Sequence, residues 1–199
     1  MNPLLINLPS RIETERLILR SYQIGDETWY YAMSLRNKSH LTRYESDNPV
    51  MKVNSEEDAA TVIHGFVASW ETRKAFFMGV FRKDTLQFVA QIYIGVVSWT
   101  LPEFEVGYFA EVNQSGNGYV TEATQGALEF IFTHLGAHRV RLECDDTNER
   151  SSHVAERCGM IREGHMRENH RHPDGSITGT LHYGLLRSEY KKDHTSEES

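Results

Sequence analysis

The 199-residue sequence predicts an α+β fold, a single mixed and mostly antiparallel sheet flanked by helices. Three observations predict it. Strand-like runs at 75–81, 86–99 and 104–112 follow one another across short connections, the pattern of an antiparallel meander. Two stretches of helical period precede that meander, and helix and strand alternate after residue 118. A meander joined to helical crossovers builds one sheet of mixed sense.

The elements follow in order. Apolar and polar side chains alternate from Arg16 to Arg20, the period of a half-buried strand. Asp26 stands as an N-cap before an apolar rhythm of Trp29, Tyr30, Met33 and Leu35. Ser55 with Asp58 three residues on has the form of a capping box, and its helix continues through Ala59, Val62, Ile63, Phe66, Val67 and Trp70. Arg82-Lys83-Asp84-Thr85 and Thr100-Leu101-Pro102 supply the meander's two turns. The helix after Gly118 carries a stripe of Val120, Ala123, Ala127, Ile131 and Leu135 and ends at Gly136. A strand at 139–144 and a short helix at 149–157 follow, the helix stopping at Cys158-Gly159. Strands at 160–171 and 177–186 close the fold across Pro173-Asp174-Gly175. The order is β-α-α-β-β-β-α-β-α-β-β. It spans one domain, 12–190, between an N-terminal extension, 1–11, and a polar, frayed tail, 191–199, that contains no apolar residue.

Composition narrows the function classes. No apolar run approaches the roughly 18 residues of a membrane span, and the opening segment lacks the basic start and apolar core of a secretory signal, so no membrane partner and a cytoplasmic location are expected. Cys144 and Cys158 are too few for a disulfide scaffold or a thiolate zinc site and are expected to pack as small apolar residues. A net charge of −7 argues against nucleic acid and favours a cationic or neutral substrate. His170 and His172 share a strand face, but no spacing completes a metal set, so no metal is expected and both read as solvated strand residues.

Gly116 and Gly118 leave bare backbone at a helix entrance. Glycine there opens dihedrals closed to other residues and lets a ligand approach without meeting a Cβ atom, while the helix offers unpaired N–H groups and the positive end of its dipole. The two together make an anion site that needs no lysine, or else a plain strand-to-helix turn. It is not a P-loop, since no Lys-Ser or Lys-Thr pair follows. Nor is it a dinucleotide fingerprint, which would require glycine at Thr121.

Four motifs in this order resemble the GCN5-related N-acetyltransferase superfamily, and within it the RimJ/RimL-like branch of protein N-terminal acetyltransferases. They are Thr14-Glu15-Arg16-Leu17-Ile18-Leu19-Arg20, Glu105-Val106-Gly107-Tyr108-Phe109, Gly116-Asn117-Gly118-Tyr119-Val120-Thr121-Glu122-Ala123, and Asn148-Glu149-Arg150-Ser151 followed by 154–160. The resemblance covers roughly residues 12 to 190. It implies acetyl-CoA as co-substrate, its pyrophosphate on the turn formed by Gly116, Asn117, Gly118, Tyr119 and Val120. The pantetheine arm would pair with the strand backbone at Phe109, Ala110 and Val112. Asn148 would meet the pantetheine amides, and Ser151 would sit near the sulfur as a donor to the thiolate. Asn117 replaces the branch's usual basic residue, Val120 its alanine and Val112 its proline, which implies weaker cofactor binding. Ala155 stands where many relatives carry a tyrosine as general acid.

Acyl transfer to an amine requires a base, an in-line nucleophile and a stabilised thiolate. The period of two puts Glu105, Gly107 and Phe109 on one strand face, which makes Glu105 the first candidate for general base, with a solvated carboxylate as the alternative. Glu143 is the second, with an ion pair to Arg139 or Arg141 as its alternative. Asn148 either contacts the cofactor or only caps the short helix. Trp29-Tyr30-Tyr31 either walls the acceptor pocket or packs in the core, and His138 and His153 are possible proton-transfer aids. The expected activity is acetyl transfer to a primary amine, first a protein N-terminal α-amine, by a monomer or homodimer. A small cationic amine acceptor such as an aminoglycoside or polyamine, or a non-catalytic acyl-CoA sensor, are the alternatives.

Overall fold

The computed structural model describes residues 2–190. One eight-stranded sheet runs through all of them, in the order β1-β2-β3-β4-β5-β6-β8-β7. Its strands are β1 (Arg11–Glu13), β2 (Leu17–Ser21), β3 (Ala75–Arg82), β4 (Phe88–Ser98), β5 (Glu103–Ala110), β6 (Arg139–Asp145), β7 (Ile161–Arg171) and β8 (Ile177–Leu186). Every pair is antiparallel except β5–β6, so the long crossover between those two must carry a helix. That helix is α3 (Tyr119–Thr133). With α4 (Glu149–Arg157) it covers one face of the sheet, while α1 (Glu27–Leu41) and α2 (Glu56–Glu71) cover the other.

The period of two divides the meander between those two layers. Phe76, Met78 and Val80 of β3 join the core cluster that holds Ala123, Ala127 and Ile131 of α3. Phe77 and Phe81 pack instead with Tyr30, Met33, Ile63 and Phe66 of the first two helices. Phe76, Met78 and Val80, fully buried, each contribute about 1.5–3 kcal/mol. Trp29 and Tyr30 stack and cross Tyr22, Phe66, Phe81 and Phe88, which makes the aromatic start of α1 a core element and not a pocket wall.

Four differences from the sequence pattern have physical causes. The strand Arg11–Glu13 adds an eighth member at the sheet edge; three residues are too few to show a period. The sheet therefore begins one residue ahead of the expected boundary, and the segment before it is pinned, since Arg73 Nη2 donates to the Ile6 carbonyl at 2.9 Å and Leu8 packs on the core. In β2, Leu17, Ile18 and Leu19 are all buried, because the strand has cover on both faces. In α1 the buried face is Tyr30, Met33, Ser34, Asn37 and Leu41, so Leu35 is solvent-exposed. Asp26 makes no capping bond. Its carboxylate instead accepts from both Arg20 Nη atoms, the Gln23 amide and Trp29 Nε1, each at 2.8 Å, and so ties β2 to α1. By contrast Ser55 and Asp58 form the reciprocal capping box as expected. The tail assigned to 191–199 lies outside the described residues.

Burial pushes the Asp26 carboxyl up, but Arg20, Trp29 and the Gln23 amide outweigh it and hold the group below its usual range. A carboxyl held low contributes stability that is present above its unfolded value, near 3.9, and is lost as pH falls through the folded one. Asp26→Asn should cost about 2–3 kcal/mol in urea denaturation near neutral pH, by leaving Arg20 partly buried and unpaired. The gap between wild type and variant should shrink as the medium is acidified below about pH 4.

Candidate active site

The site grows from a short pairing. β5 is paired with β4 along its length, from Glu103 to Ala110. On its other side it meets β6 at only three positions, Glu103 to Glu105 against Arg139 to Arg141, and the two strands then part. The β6-facing backbone of β5 beyond Glu105 therefore has no strand partner, a ready edge for an extended ligand. Past the strand the chain closes a 3₁₀ turn, Val112–Gln114, whose Val112 amide donates to Asn37 Oδ1 at 2.9 Å. That donor is spent inside the fold.

The glycine turn stands at the mouth of this opening. Gly116 (φ +86°) and Gly118 (φ +76°) both take the left-handed region, and a Cβ at Gly116 would meet nothing within 4 Å, so the surface above it is open. Glu122 is the first residue of the turn to donate back, to the Gly118 carbonyl at 3.1 Å. The amides of Asn117 through Thr121 have no acceptor among the described residues, an arrangement suited to a phosphate.

A cation reaches this turn from β2's approach. Arg16 lies over the Tyr119 ring at 4.9 Å and donates to the Asn117 carbonyl at 3.2 Å. Its Nε, at 2.6 Å, and its amide, at 2.7 Å, donate to the Glu122 carboxylate, which also accepts from Thr14 Oγ1. Burial pushes the Glu122 carboxyl up, but Thr14 and Arg16 hold it below its usual range. Asn117 thus does not leave the turn without a basic group. A separation of 101 residues hides this partner from any reading of local spacing.

On the far side of the parted strands, Tyr108 Oη lies 3.0 Å from the Ser151 carbonyl and 3.1 Å from Ser151 Oγ. Burial raises the Tyr108 phenol, which Ser151 only partly offsets, so it stays protonated. Asn148 Oδ1 accepts the Ser151 amide at 3.3 Å and so caps α4. Ala155 is fully buried in the core, and the Tyr108 phenol lies against Ser151 on the same helix. Period-two reasoning missed it because Tyr108 faces away from Glu105.

A cleft of about 430 Å³ opens beside the same strand. Phe77, Gln91 and Tyr93 line it from the meander, Glu105, Gly107, Tyr108 and Phe109 from β5, and Glu45, Asp47 and Asn48 from the α1–α2 connection. The shared face of Glu105, Gly107 and Phe109 is as the spacing predicts. Glu105 is not free, however: its Oε2 accepts Arg141 Nε at 3.0 Å and Nη2 at 2.7 Å. Glu143 lies outside the cleft lining, paired with His182 at 3.3 Å and not with an arginine. Glu45 was not singled out by any motif. Burial pushes its carboxyl up to about 7, with the Asn48 amide opposing weakly.

The histidines take other duties. His170 is exposed as expected, but His172 is buried, its Nε2 2.8 Å from Asp145 Oδ2 and 2.9 Å from Thr178 Oγ1, because it falls in the turn after β7. His138 passes its backbone to Pro102 and Arg187, and His153 is exposed. Cys144 and Cys158 are free and buried, and burial pushes their thiols up to about 11 and about 12. Among the described residues no group of His, Cys, Asp or Glu could hold a metal ion, and no helix is long and apolar enough to cross a membrane.

The fold with this opening is the acyl-CoA N-acyltransferase fold. RimJ of Mycobacterium smegmatis, solved in complex with a CoA-disulfide, aligns over 87% of this chain and 83% of its own with a TM-score of 0.76 and 21% identity. Residues 16–161 match the acetyltransferase (GNAT) domain family, and the chain belongs to it, as an acetyl-CoA-dependent N-acetyltransferase. Its relatives include the uncharacterized N-acetyltransferase YoaA of Bacillus subtilis, 25% identical over 88% of this chain and 96% of that one. The ribosomal-protein-serine acetyltransferase of Escherichia coli is 28% identical (69% and 75%), and the spermidine N(1)-acetyltransferase of Vibrio cholerae 25% (77% and 83%).

Because the Glu45 carboxyl lies above its unfolded value, near 4.3, the stability of its protonated form is complete below that value and lost as pH rises through about 7. Glu45→Gln stays neutral and should not lose it. Thermal denaturation should show the variant gaining on wild type by a few degrees between about pH 5 and pH 8; a constant gap would contradict the raised carboxyl.

Proposed function

We propose that this chain moves the acetyl group of acetyl-CoA onto the α-amine of a protein N-terminus. The observation that carries the cofactor part is the unpaired β6-facing edge of β5 next to the acceptor-free amides of residues 117–121. In this reading Gly116, Asn117, Gly118, Tyr119 and Val120 cradle the pyrophosphate, with Arg16 as its cation. Phe109 and Ala110 offer backbone to the pantetheine, and Val112 contributes its carbonyl only. Asn148 and Ser151 sit beside the arm's end, and the Tyr108–Ser151 pair donates to the departing thiolate.

The acceptor would enter through the cleft. Three carboxylates there, Glu45, Asp47 and Glu105, the last paired with Arg141, attract an ammonium and repel an anion. A protein N-terminus is favoured because the four motifs resemble the RimJ/RimL-like branch and the E. coli relative is named for a ribosomal protein. The acidic lining equally suits a polyamine, and the Vibrio cholerae relative is named for spermidine. Release of free CoA thiol in the presence of N-terminal peptides and of spermidine separates the two. The peptide reading requires kcat/KM at least 100-fold higher for the better peptide, and the reverse order overturns it.

Arg16→Ala should weaken CoA binding roughly 10-fold, about 1.4 kcal/mol, in calorimetry while changing kcat at saturating cofactor little. Unchanged affinity would remove Arg16 from the cofactor site.

A further inference from the structure

We infer that Glu45, and not Glu105, is the general base that takes the proton from the acceptor's ammonium. The inference rests on the acetyl-transfer reading and deepens it.

Placement comes first. Glu45 lies in the α1–α2 connection, its amide donating to the Leu41 carbonyl at 2.8 Å and its carbonyl accepting from Asn48 at 3.0 Å. Its neighbour Tyr44 reaches across the opening to Thr147, with Oη 3.4 Å from the carbonyl and 3.3 Å from Oγ1. These contacts hold the segment against the residues that lead into α4, and so bring Glu45 to the cleft wall that it shares with Gly107, Tyr108 and Phe109. A carboxylate there shares a cleft with the strand along which the thioester would lie.

Availability comes second. The Glu45 carboxylate accepts one bond, from Asn48 Nδ2 at 3.0 Å, and no cation lies within 4 Å among the described residues. Glu105 gives one oxygen to two N–H groups of Arg141, so that carboxylate is already engaged by a cation where Glu45 is not. The titratable groups that line the cleft with Glu45 are Asp47 on its own segment, Tyr93 on β4, and Glu105 and Tyr108 on β5, with Arg141 paired to Glu105. None of them is an unpaired cation. A partly dry carboxyl in such surroundings holds a proton near neutrality, which is the range where a base works best. Glu105 with its arginine then orients the incoming ammonium.

The step balances. One ammonium proton passes to Glu45 and on to solvent. The freed amine forms the N–C bond as the C–S bond breaks; the nitrogen gives up a second proton, and the thiolate takes up one by way of Tyr108 and Ser151. The products are the acetamide, CoA thiol and one released proton.

The experiment compares full-length wild type, Glu45→Gln and Glu105→Gln in kcat/KM against pH, with CoA affinity measured by calorimetry on each. Wild type should rise with pH along a limb near 7. Glu45→Gln should fall by roughly 100-fold or more and lose that limb with CoA affinity unchanged, and Glu105→Gln should keep the limb. Added formate should restore part of the activity of Glu45→Ala. A limb that persists in Glu45→Gln, activity within threefold of wild type, or a loss matched by lost CoA affinity would each overturn the assignment. No turnover by wild type with any amine would instead sink the acetyl-transfer reading, and the base with it.

Discussion

Everything functional in this molecule depends on the sheet coming apart between β5 and β6. A parallel pair that continued past Glu105 would satisfy its own backbone and leave nothing for a ligand. Because the pairing stops after three positions, polar groups of an otherwise buried strand face an opening, and the fold has to line it with partners of its own. Tyr108 bridges from β5 to Ser151 on α4, and the Val112 amide turns away to Asn37. What remains unpaired is a short edge beside a helix terminus, and on that edge the proposed cofactor site rests.

In the proposed reading the same economy lets a chain of net charge −7 hold a polyanion. Backbone amides carry no net charge and cannot be lost by drift in composition; the helix dipole adds to them at no cost in lysine. The Arg16 guanidinium at the turn is held by Glu122, which Thr14 in turn holds, so its position is fixed by the fold itself. Fixing it lowers the entropy lost on binding, at the expense of part of its charge, which Glu122 neutralises.

Local chemistry was legible in the sequence wherever cause and effect lie within one turn of chain. The Ser55–Asp58 box, the glycines at 116 and 118, the stripe of α3 and the period of the meander all belong to this group. Reading failed where a side chain answers to something distant. Asp26 has the identity and place of a cap, yet Arg20 and Trp29 offer its carboxylate stronger bonds than its own helix does. Arg16 reads as an exposed strand residue and only the fold shows it over Tyr119. His172 reads as surface strand until Asp145 and Thr178 close around it. Arg11–Glu13 is too short to have a period at all.

Glu45 belongs to a harder category, since its importance comes from what is missing around it. A motif search finds residues by what stands beside them in the chain. The property that singles out Glu45 is the loss of water without the gain of a cation, and that depends on where β5, the meander and the α1–α2 connection meet. The contrast with Glu105 makes the point. Strand spacing selects Glu105 because period two is written in the sequence, but the parallel register also sets Arg141 directly opposite it on β6. The three-residue pairing that opens the site therefore also gives Glu105 an ion-pair partner. In the proposed reading the base comes instead from an element not bound by that register, the α1–α2 connection, which Tyr44 ties to Thr147.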